Sequence, residues 1–270
     1  MKKEHAKQGR QGAQTVQKAI AVLKFVATRP NQGSRLLDIA HGVAIERPTV
    51  HRLLQALVAE GLIVQDDSRK YRLGPLIFEL SIMGGLFFNL AEECTPVLRR
   101  LAEETGDTSF FFVRHGNDAI CLAQEQGSYY IQTPVVSVNS RHPLGVSAGG
   151  LAILCGMPAA DARAILEAEE TRLHAHNGLT KEEVWACYQA AQERGIAVIA
   201  DRAAPGVKAI GVPICGSLGV PFAAVTLATT ISRMTEEKIQ AAAPVLTAAA
   251  AEIERALQRR CSSKFGQNYR

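Results

Sequence analysis

Residues 43–74 read VAIERPTVHRLLQALVAEGLIVQDDSRKYRLG. Val50, Leu53, Leu54 and Leu57 recur at i, i+3, i+4 and i+7, so four apolar side chains fall along one stripe of a helix and must pack inward. A turn of about 100° per residue points Pro48, Arg52 and Gln55 away from that stripe and leaves Thr49 and His51 on its flanks. Exposed hydroxyl, imidazole, guanidinium and amide groups suit phosphate oxygens and base edges. Gly61 follows the last periodic residue and closes the helix. Residues 62–65 and 70–73 then read as short strands about the turn Asp66-Asp67-Ser68, and Arg69, Lys70 and Arg72 make that hairpin basic. The stretch predicts a recognition helix followed by a wing.

The preceding residues fit the same unit. Val16, Ala19, Ile20, Leu23 and Ala27 form an amphipathic stripe that ends at Pro30. Asn31-Gln32-Gly33 reads as a turn, and Ser34 stands where an N-cap would for a helix over 35–41, with Leu36, Leu37, Ile39 and Ala40 supplying apolar contacts. Gly42 is expected to allow the tight turn into the recognition helix. Helix, helix, turn, helix and wing in this order make a winged helix-turn-helix. Each feature is ordinary alone, since helical leucines are usually core and an exposed Arg is usually just solvated; the order, followed by a basic hairpin, points to DNA.

Composition supports a division of labour. The chain has 270 residues, 47% hydrophobic and 21% charged, long enough for about two domains. Up to residue 85 there are 13 Lys or Arg against 7 Asp or Glu, and beyond it 17 against 19. Lys2, Lys3, Lys7 and Arg10 supply part of the first excess, but Lys18, Lys24, Arg35, Arg47, Arg52, Arg69, Lys70 and Arg72 remain without that tail. Only the first third is therefore expected to meet a polyanion. Cys94, Cys121, Cys155, Cys187, Cys215 and Cys261 are scattered, without a C-x-x-C pair or a His at ligand spacing, which argues against a zinc site or a secreted disulfide framework. No motif calls for a cofactor or a metal. The polar start MKKEHAKQGRQGAQ has no apolar stretch of a signal peptide, and no run of about 18 apolar residues reads as a membrane span, so a cytoplasmic protein with no membrane partner is expected.

VQKAIAVLKFV, LLDIAHGV, RPTVHRLLQALVAEGLI and KYRLGP resemble the DNA-binding half of the IclR family of bacterial transcriptional regulators. RHPLGVSAGGLAIL, ERGIAV, PGVKAIGVPI and TLATTISRMTEEKI extend the resemblance over nearly the whole chain, and PGVKAIGVPI is the segment that separates this family from other winged-helix regulators. Within the DNA-binding half, Arg47, Thr49, His51 and Arg52 match the family, whereas Glu46 and Pro48 replace its usual Pro and Ser. The DNA-contacting set is then Arg35, Arg47, Thr49, His51, Arg52, Gln55, Lys70 and Arg72. Thr49, His51, Arg52 and Gln55 are expected in the major groove, with Arg47, Lys70 and Arg72 on phosphates.

The organisation expected is a winged helix-turn-helix over 12–75, a helical linker over 76–90 and an effector domain over 91–265. Residues 76–83 read as an apolar helix, Gly84-Gly85 as a hinge, and 86–104 as a second helix interrupted near Pro96. Residues 109–113 and 119–123 read as a hairpin about His115-Gly116-Asn117-Asp118, and 130–138 as a further strand made irregular by Pro134. Helices are expected from 149, over 159–168, over 181–193 and over 235–260 with a kink at Pro244. Strands are expected over 195–200, 209–214 and 223–229. Strands with flanking helices give an α+β domain, and the resemblance implies that its fold is GAF-like.

Two functions compete for the second domain. Gly145-Val146-Ser147-Ala148-Gly149 satisfies G-x-S-x-G, the nucleophile elbow of a serine hydrolase, with Asp161 and then His174 or His176 in the required order. An elbow follows a hydrophobic strand, whereas Asn139-Ser140-Arg141-His142-Pro143 precedes this one. The other reading is a small-residue loop at a helix start, where free N–H groups favour an anion such as a carboxylate. The resemblance places an effector pocket at Ser147, Ala148, Gly149, Ile199, Asp201, Ala209, Thr226 and Ala228. Relatives that bind small polar acids tend to carry acidic residues at the places of Ile199 and Ala200, often Cys at that of Ala209, and a polar group at that of Ala228. Apolar residues there imply a larger or more apolar effector, an aromatic or branched acid or its thioester. The whole is expected to be an effector-responsive regulator, not an enzyme, that reads a pseudo-palindromic operator of double-stranded DNA as a homodimer or homotetramer. A ligand-free architectural DNA binder is the remaining alternative.

Overall fold

A computed structural model describes residues 2–29, 32–83, 90–131 and 136–266, with side chains except those of 2–11, 82 and 258–266. The expected turn at Asn31, the Gly84-Gly85 hinge, the first residues of the second linker helix, Pro134 and the Cys261 side chain lie outside these. The chain folds as two compact units, Met1–Phe87 and Phe88–Arg270.

The first unit contains α1 (Lys2–Ala27), α2 (Leu36–Val43), α3 (Arg47–Ala59), β1 (Ile63–Gln65), β2 (Tyr71–Leu73) and α4 (Pro75–Met83). All four periodic residues of α3, Val50, Leu53, Leu54 and Leu57, are buried against Val22, Val26, Ile39, Ile63 and Tyr71. Each large aliphatic side chain so buried contributes roughly 1.5–3 kcal/mol relative to exposure. Gly61 adopts φ +71°, and the N–H of Leu62 reaches the carbonyl of Leu57 at 3.0 Å, closing α3 as expected.

Three local expectations are corrected. The inward face of α1 is Val22 and Val26, flanked by Ala19, Leu23 and Phe25, while Val16 and Ile20 are exposed. Ser34 does not cap α2; it is buried and exchanges backbone hydrogen bonds with Tyr71 (3.0 and 2.8 Å), adding a bridge to the wing. The α2 start is held instead by the Asp38 carboxylate, which accepts the Arg35 N–H at 3.2 Å. Gly42 lies inside α2, where a Cβ would stand 1.9 Å from the Phe25 ring; the left-handed turn into α3 is made by Ala44 at φ 52°. Gly42 thus serves packing rather than turning.

The second unit is a six-stranded antiparallel sheet in the order β5-β4-β3-β8-β7-β6. The strands are β3 (Thr108–His115), β4 (Asp118–Glu125), β5 (Arg141–Pro143), β6 (Ala197–Ala200), β7 (Val207–Cys215) and β8 (Pro221–Thr230). On one face lie α5 (Leu90–Thr105) and α10 (Glu236–Gly266), packed on Phe111, Ile210, Val225 and Leu227. On the other lie α6 (Ala148–Cys155), α7 (Ala159–Ala168) and α9 (Lys181–Arg194), packed on Phe110, Phe112, Ile199, Ala209 and Ala228. The period of two assigns neighbouring residues of each strand to opposite cores. A short α8 (Glu170–His174) follows α7. Pro96 and Pro244 lie inside the continuous helices α5 and α10, so no break occurs near Pro96. Among the described residues of 130–138 there is no strand; the edge is Arg141–Pro143, paired to Ile120–Asp118 of β4.

Candidate nucleic-acid interface and effector cavity

The α3 surface carries His51, Arg52 and Gln55 exposed, with Arg47 exposed at the helix start and Thr49 half-buried. Pro48 sits in the first turn of α3, where its missing N–H costs nothing. Arg35, Arg47 and His51 line one open concavity together with Arg69 and Ser68 of the wing and Leu36 and Leu37 of α2. Arg47, His51 and Arg52 line a second, adjoining one with Pro48. Lys70 and Arg72 do not border either. Arg72 instead binds Asp66, Nε to Oδ2 at 3.0 Å, within the wing. Arg69 takes the exposed place at the wing tip. Its φ of 58° swings it there, and its position beside an Asp-Asp-Ser turn was the available signal.

Asp66 organises that tip. Its Oδ1 accepts the Ser68 hydroxyl at 2.6 Å and the Ser68 and Lys70 N–H groups at 3.0 Å, and its Oδ2 accepts from Arg72. The Ser68 hydroxyl, the Lys70 amide and the Arg72 guanidinium hold its carboxyl well below the usual carboxylate range. A pKa lower in the folded than in the unfolded chain stabilises the wing above the unfolded value, about 3.9, and is lost as pH falls through the folded one. The protection of the Ser68 and Lys70 amides, relative to their intrinsic exchange rates at each pH, should therefore stay constant from pH 7 to about 5 and fall below about 4. Asp66→Asn should abolish the step. A carboxyl signal titrating near the ordinary value would contradict this account.

In the second unit the strand register assembles the other site. Phe110, Thr226 and Gly211 lie side by side across β3, β8 and β7, and Ala228, Ala209 and Ile199 across β8, β7 and β6. Gly211 matters because a Cβ there would stand 2.9 Å from the Ala148 carbonyl oxygen. Its absence lets the start of α6 rest directly on the sheet. Ser147 caps that helix, its Oγ accepting the Gly150 N–H at 3.1 Å.

The resulting cavity is lined by Ser147, Ala148, Ile199, Ala209, Thr226 and Ala228, as expected, and also by Phe110, Phe112, Val136, Arg202 and Val207. The empty space between these side chains, with the open solvent at its mouth, is about 340 Å³, but the enclosed part is small. It has room for about one water. The Phe110-Phe111-Phe112 run carried the missed signal, since alternation puts the first and third rings on one face. Two expected pocket residues are elsewhere. A Cβ on Gly149 would stand 2.3 Å from the Phe112 ring, so this glycine backs the ring instead of lining the cavity. Asp201 is exposed at φ 60°, and its Oδ1 accepts the Gly206 N–H at 2.7 Å, closing the 201–206 loop.

The hydrolase reading finds no support. Ser147 is 2% exposed and its hydroxyl is committed to the Gly150 amide. The strand before it is a three-residue antiparallel edge, not the central parallel strand of an elbow. His142 and His176 stack edge to face at 5.5 Å, and neither is hydrogen-bonded to Ser147. Burial pushes the Cys94, Cys121 and Cys155 thiols up to about 12, as expected of core residues rather than nucleophiles. Among the described residues no group of three or more His, Cys, Asp or Glu could hold a metal ion, and no helix is long and apolar enough to cross a membrane.

Residues 15–67 match the IclR helix-turn-helix domain and residues 87–255 the bacterial transcriptional regulator IclR C-terminal domain. The chain is 26% identical over 249 residues to the HTH-type transcriptional regulator BhcR of Paracoccus denitrificans, covering 90% of this chain and 86% of that protein. The IclR structure of Thermotoga maritima superposes with a TM-score of 0.57 at 24% identity, covering 91% of this chain and 99% of that one. An IclR homolog of Microbacterium hydrocarbonoxydans, crystallised with 4-hydroxybenzoate, gives 0.53 at 21%, covering 89% and 99%.

Proposed function

This chain belongs to the IclR family of transcriptional regulators, and from that membership we propose that it reads a pseudo-palindromic operator as a symmetric oligomer under the control of an aromatic or branched organic acid. The observation that carries the DNA reading is the convergence of Arg35, Arg47, His51 and Arg69 on one open concavity beside α3. Thr49, His51, Arg52 and Gln55 approach base edges, while Arg35, Arg47 and Lys70 supply positive charge toward phosphates, which Arg72 reaches only by leaving Asp66. A two-fold protein reads two-fold DNA. Exposed Val16 and Ile20 on α1, and Phe78, Leu80 and Met83 on α4, offer the apolar surface that a homodimer, or a tetramer built from it, would cover. The place of action is the cytoplasm, where the operator is.

Selection of sites from a random duplex pool at near-physiological salt tests this. A recovered inverted repeat supports the reading; retention of unspecific DNA alone, lost steeply with salt, contradicts it. Arg52→Ala is expected to weaken binding to the selected site by about 1–3 kcal/mol if Arg52 reads a base. Titration against selected and scrambled duplexes separates the cases, because an equal loss on both would make it a phosphate contact.

The cavity lining favours an apolar acid. The cavity as it stands holds about one water, so Phe110, Phe112, Val136, Ile199 and Val207 must part to enclose a ring or branched chain, while Ser147, Thr226 and the N–H groups at the start of α6 can face a carboxylate. Ser147, Ala148, Ile199, Ala209, Thr226 and Ala228 contact the effector directly; Gly149 and Asp201 shape the Phe112 ring and the 201–206 loop around it. A relative of the same fold is recorded with 4-hydroxybenzoate, a member of the proposed class. Effector binding changes operator affinity only through different affinities for two states of the regulator. Tight calorimetric binding of a two-carbon acid, with none of aromatic or branched acids, would overturn the effector class. No binding of any acid would favour an architectural DNA protein.

A further inference from the structure

We propose that Arg202 selects acids in this cavity, and that Glu183 holds its guanidinium in the unliganded protein and yields it to the effector's carboxylate. The inference rests on the effector reading above and adds to it the source of charge selectivity.

Among the described residues, Arg202 is the only charged one that lines the cavity. A carboxylate placed among Phe110, Phe112, Val136 and Ile199 loses its hydration, which is costly unless a countercharge replaces it. The start of α6 supplies only about half an elementary charge. A guanidinium supplies a whole one, in a planar fork that matches a carboxylate.

That guanidinium is held ready. Its Nη2 donates to Glu183 Oε1 at 2.5 Å. The backbone of Arg202 is anchored separately, since its carbonyl accepts from Asn177 Nδ2 at 3.2 Å and the Asp201–Gly206 hydrogen bond closes its loop. The side chain can therefore change partner without the loop unfolding. Glu183 is equally free to let go. Its other oxygen, Oε2, accepts the Thr180 N–H at 2.9 Å and the Thr180 hydroxyl at 3.1 Å, and these cap α9 whatever Oε1 does. The Glu183 side chain is 43% exposed, so water readily takes the place of Arg202. An exposed pair of this kind is worth little, and a carboxylate in the drier cavity competes with it favourably.

The exchange makes two opposite predictions. Arg202→Gln should weaken acid binding about ten- to a hundredfold, the value of a hydrogen bond to a charged group. Glu183→Gln keeps the helix cap, because Gln serves that position as well as Glu, and removes the competing charge. Acid binding should then tighten by about two- to fivefold. Calorimetry on the full chain would use matched pairs, each acid beside its primary amide: benzoate and benzamide, 4-hydroxybenzoate and its amide, 3-methylbutanoate and its amide. Glu183→Gln should leave amide affinity within about twofold of the wild type, and Arg202→Gln should cost amides clearly less than acids, since only the acids lose the attraction between full charges. Equal loss of acid and amide in Arg202→Gln would mean a structural role and overturn the proposal. So would acid affinity unchanged or weakened in Glu183→Gln. If the wild type binds none of these acids, the effector reading itself fails; if it binds them and neither variant alters the acid-to-amide ratio, only the role of Arg202 and Glu183 fails.

Discussion

Leu54→Ala is expected to destabilise the N-terminal unit by about 3–5 kcal/mol and to abolish operator binding near 37 °C. Leu54 is fully buried at the centre of the cluster formed by Val22, Val26, Ile39, Val50, Ile63 and Tyr71. Truncation removes its transfer energy and leaves a cavity that α1, α2 and the wing bound from different directions. The neighbours cannot all collapse onto it. A unit this small buries a modest share of its surface, so its total stability lies toward the low end of the usual 5–15 kcal/mol. The lost term is then a large fraction of the whole. Denaturant unfolding followed by amide signals from the first unit measures it directly. Leu54→Met, which conserves volume, should cost less than about 1.5 kcal/mol and keep DNA binding. A Leu54→Ala variant that unfolds within 1 kcal/mol of wild type would show that this core is not the one holding α3.

Asp107→Ala should cost the second unit about 3 kcal/mol. The Asp107 side chain is inaccessible and meets two cations, Arg233 Nε at 2.7 Å from Oδ1 and Lys238 Nζ at 2.7 Å from Oδ2. Both cations also donate to the Thr105 carbonyl, at 3.1 and 3.2 Å, and the Arg233 guanidinium lies 4.2 Å from the centre of the Tyr129 ring. One carboxylate thus ties the end of α5 and the start of β3 to α10 and to the loop after β4. Its removal leaves two positive charges facing each other. They are 30% and 22% exposed, so partial rehydration keeps the loss at the lower end of the range for a buried pair. Asp107→Asn retains shape without charge and should recover only a minor part. A double-mutant cycle with Arg233→Gln and Lys238→Gln would apportion the energy. A thermal midpoint for Asp107→Ala within a degree of wild type would refute the ion-pair account.

The parts legible beforehand share a cause. Where a residue's role follows from spacing along one element, the chain alone reveals it. The stripe of α3, the wing hairpin, the β3–β4 hairpin and the bounds of α7 and α9 all follow from local periodicity and turn chemistry. The exposed face of α3 follows from the same stripe by exclusion. The family resemblance added the cavity positions Ser147, Ala148, Ile199, Ala209, Thr226 and Ala228, which are far apart in the chain and come together only through the register of β6, β7 and β8.

What failed involved partners from other elements. Ser34 carries every mark of a helix cap, yet its backbone pairs with Tyr71 of the wing. Gly42 reads as a turn glycine, and only the approach of Phe25 from α1 explains it. Gly149 belongs to a small-residue loop by sequence and to the Phe112 contact by structure. Arg72 is held by Asp66 within the wing and Arg69 borders the concavity beside α3, neither of which spacing along the hairpin reveals. The sequence by itself determined the buried stripe and exposed face of α3, the wing hairpin and the concentration of positive charge in the first third, because hydrophobic periodicity and charge segregation are properties of a chain read along its length. Only the tertiary structure decided which cations stay free, which glycines make room for a neighbour, and that Arg202 and Glu183 meet at the cavity. Those outcomes depend on distances between residues that no periodicity relates.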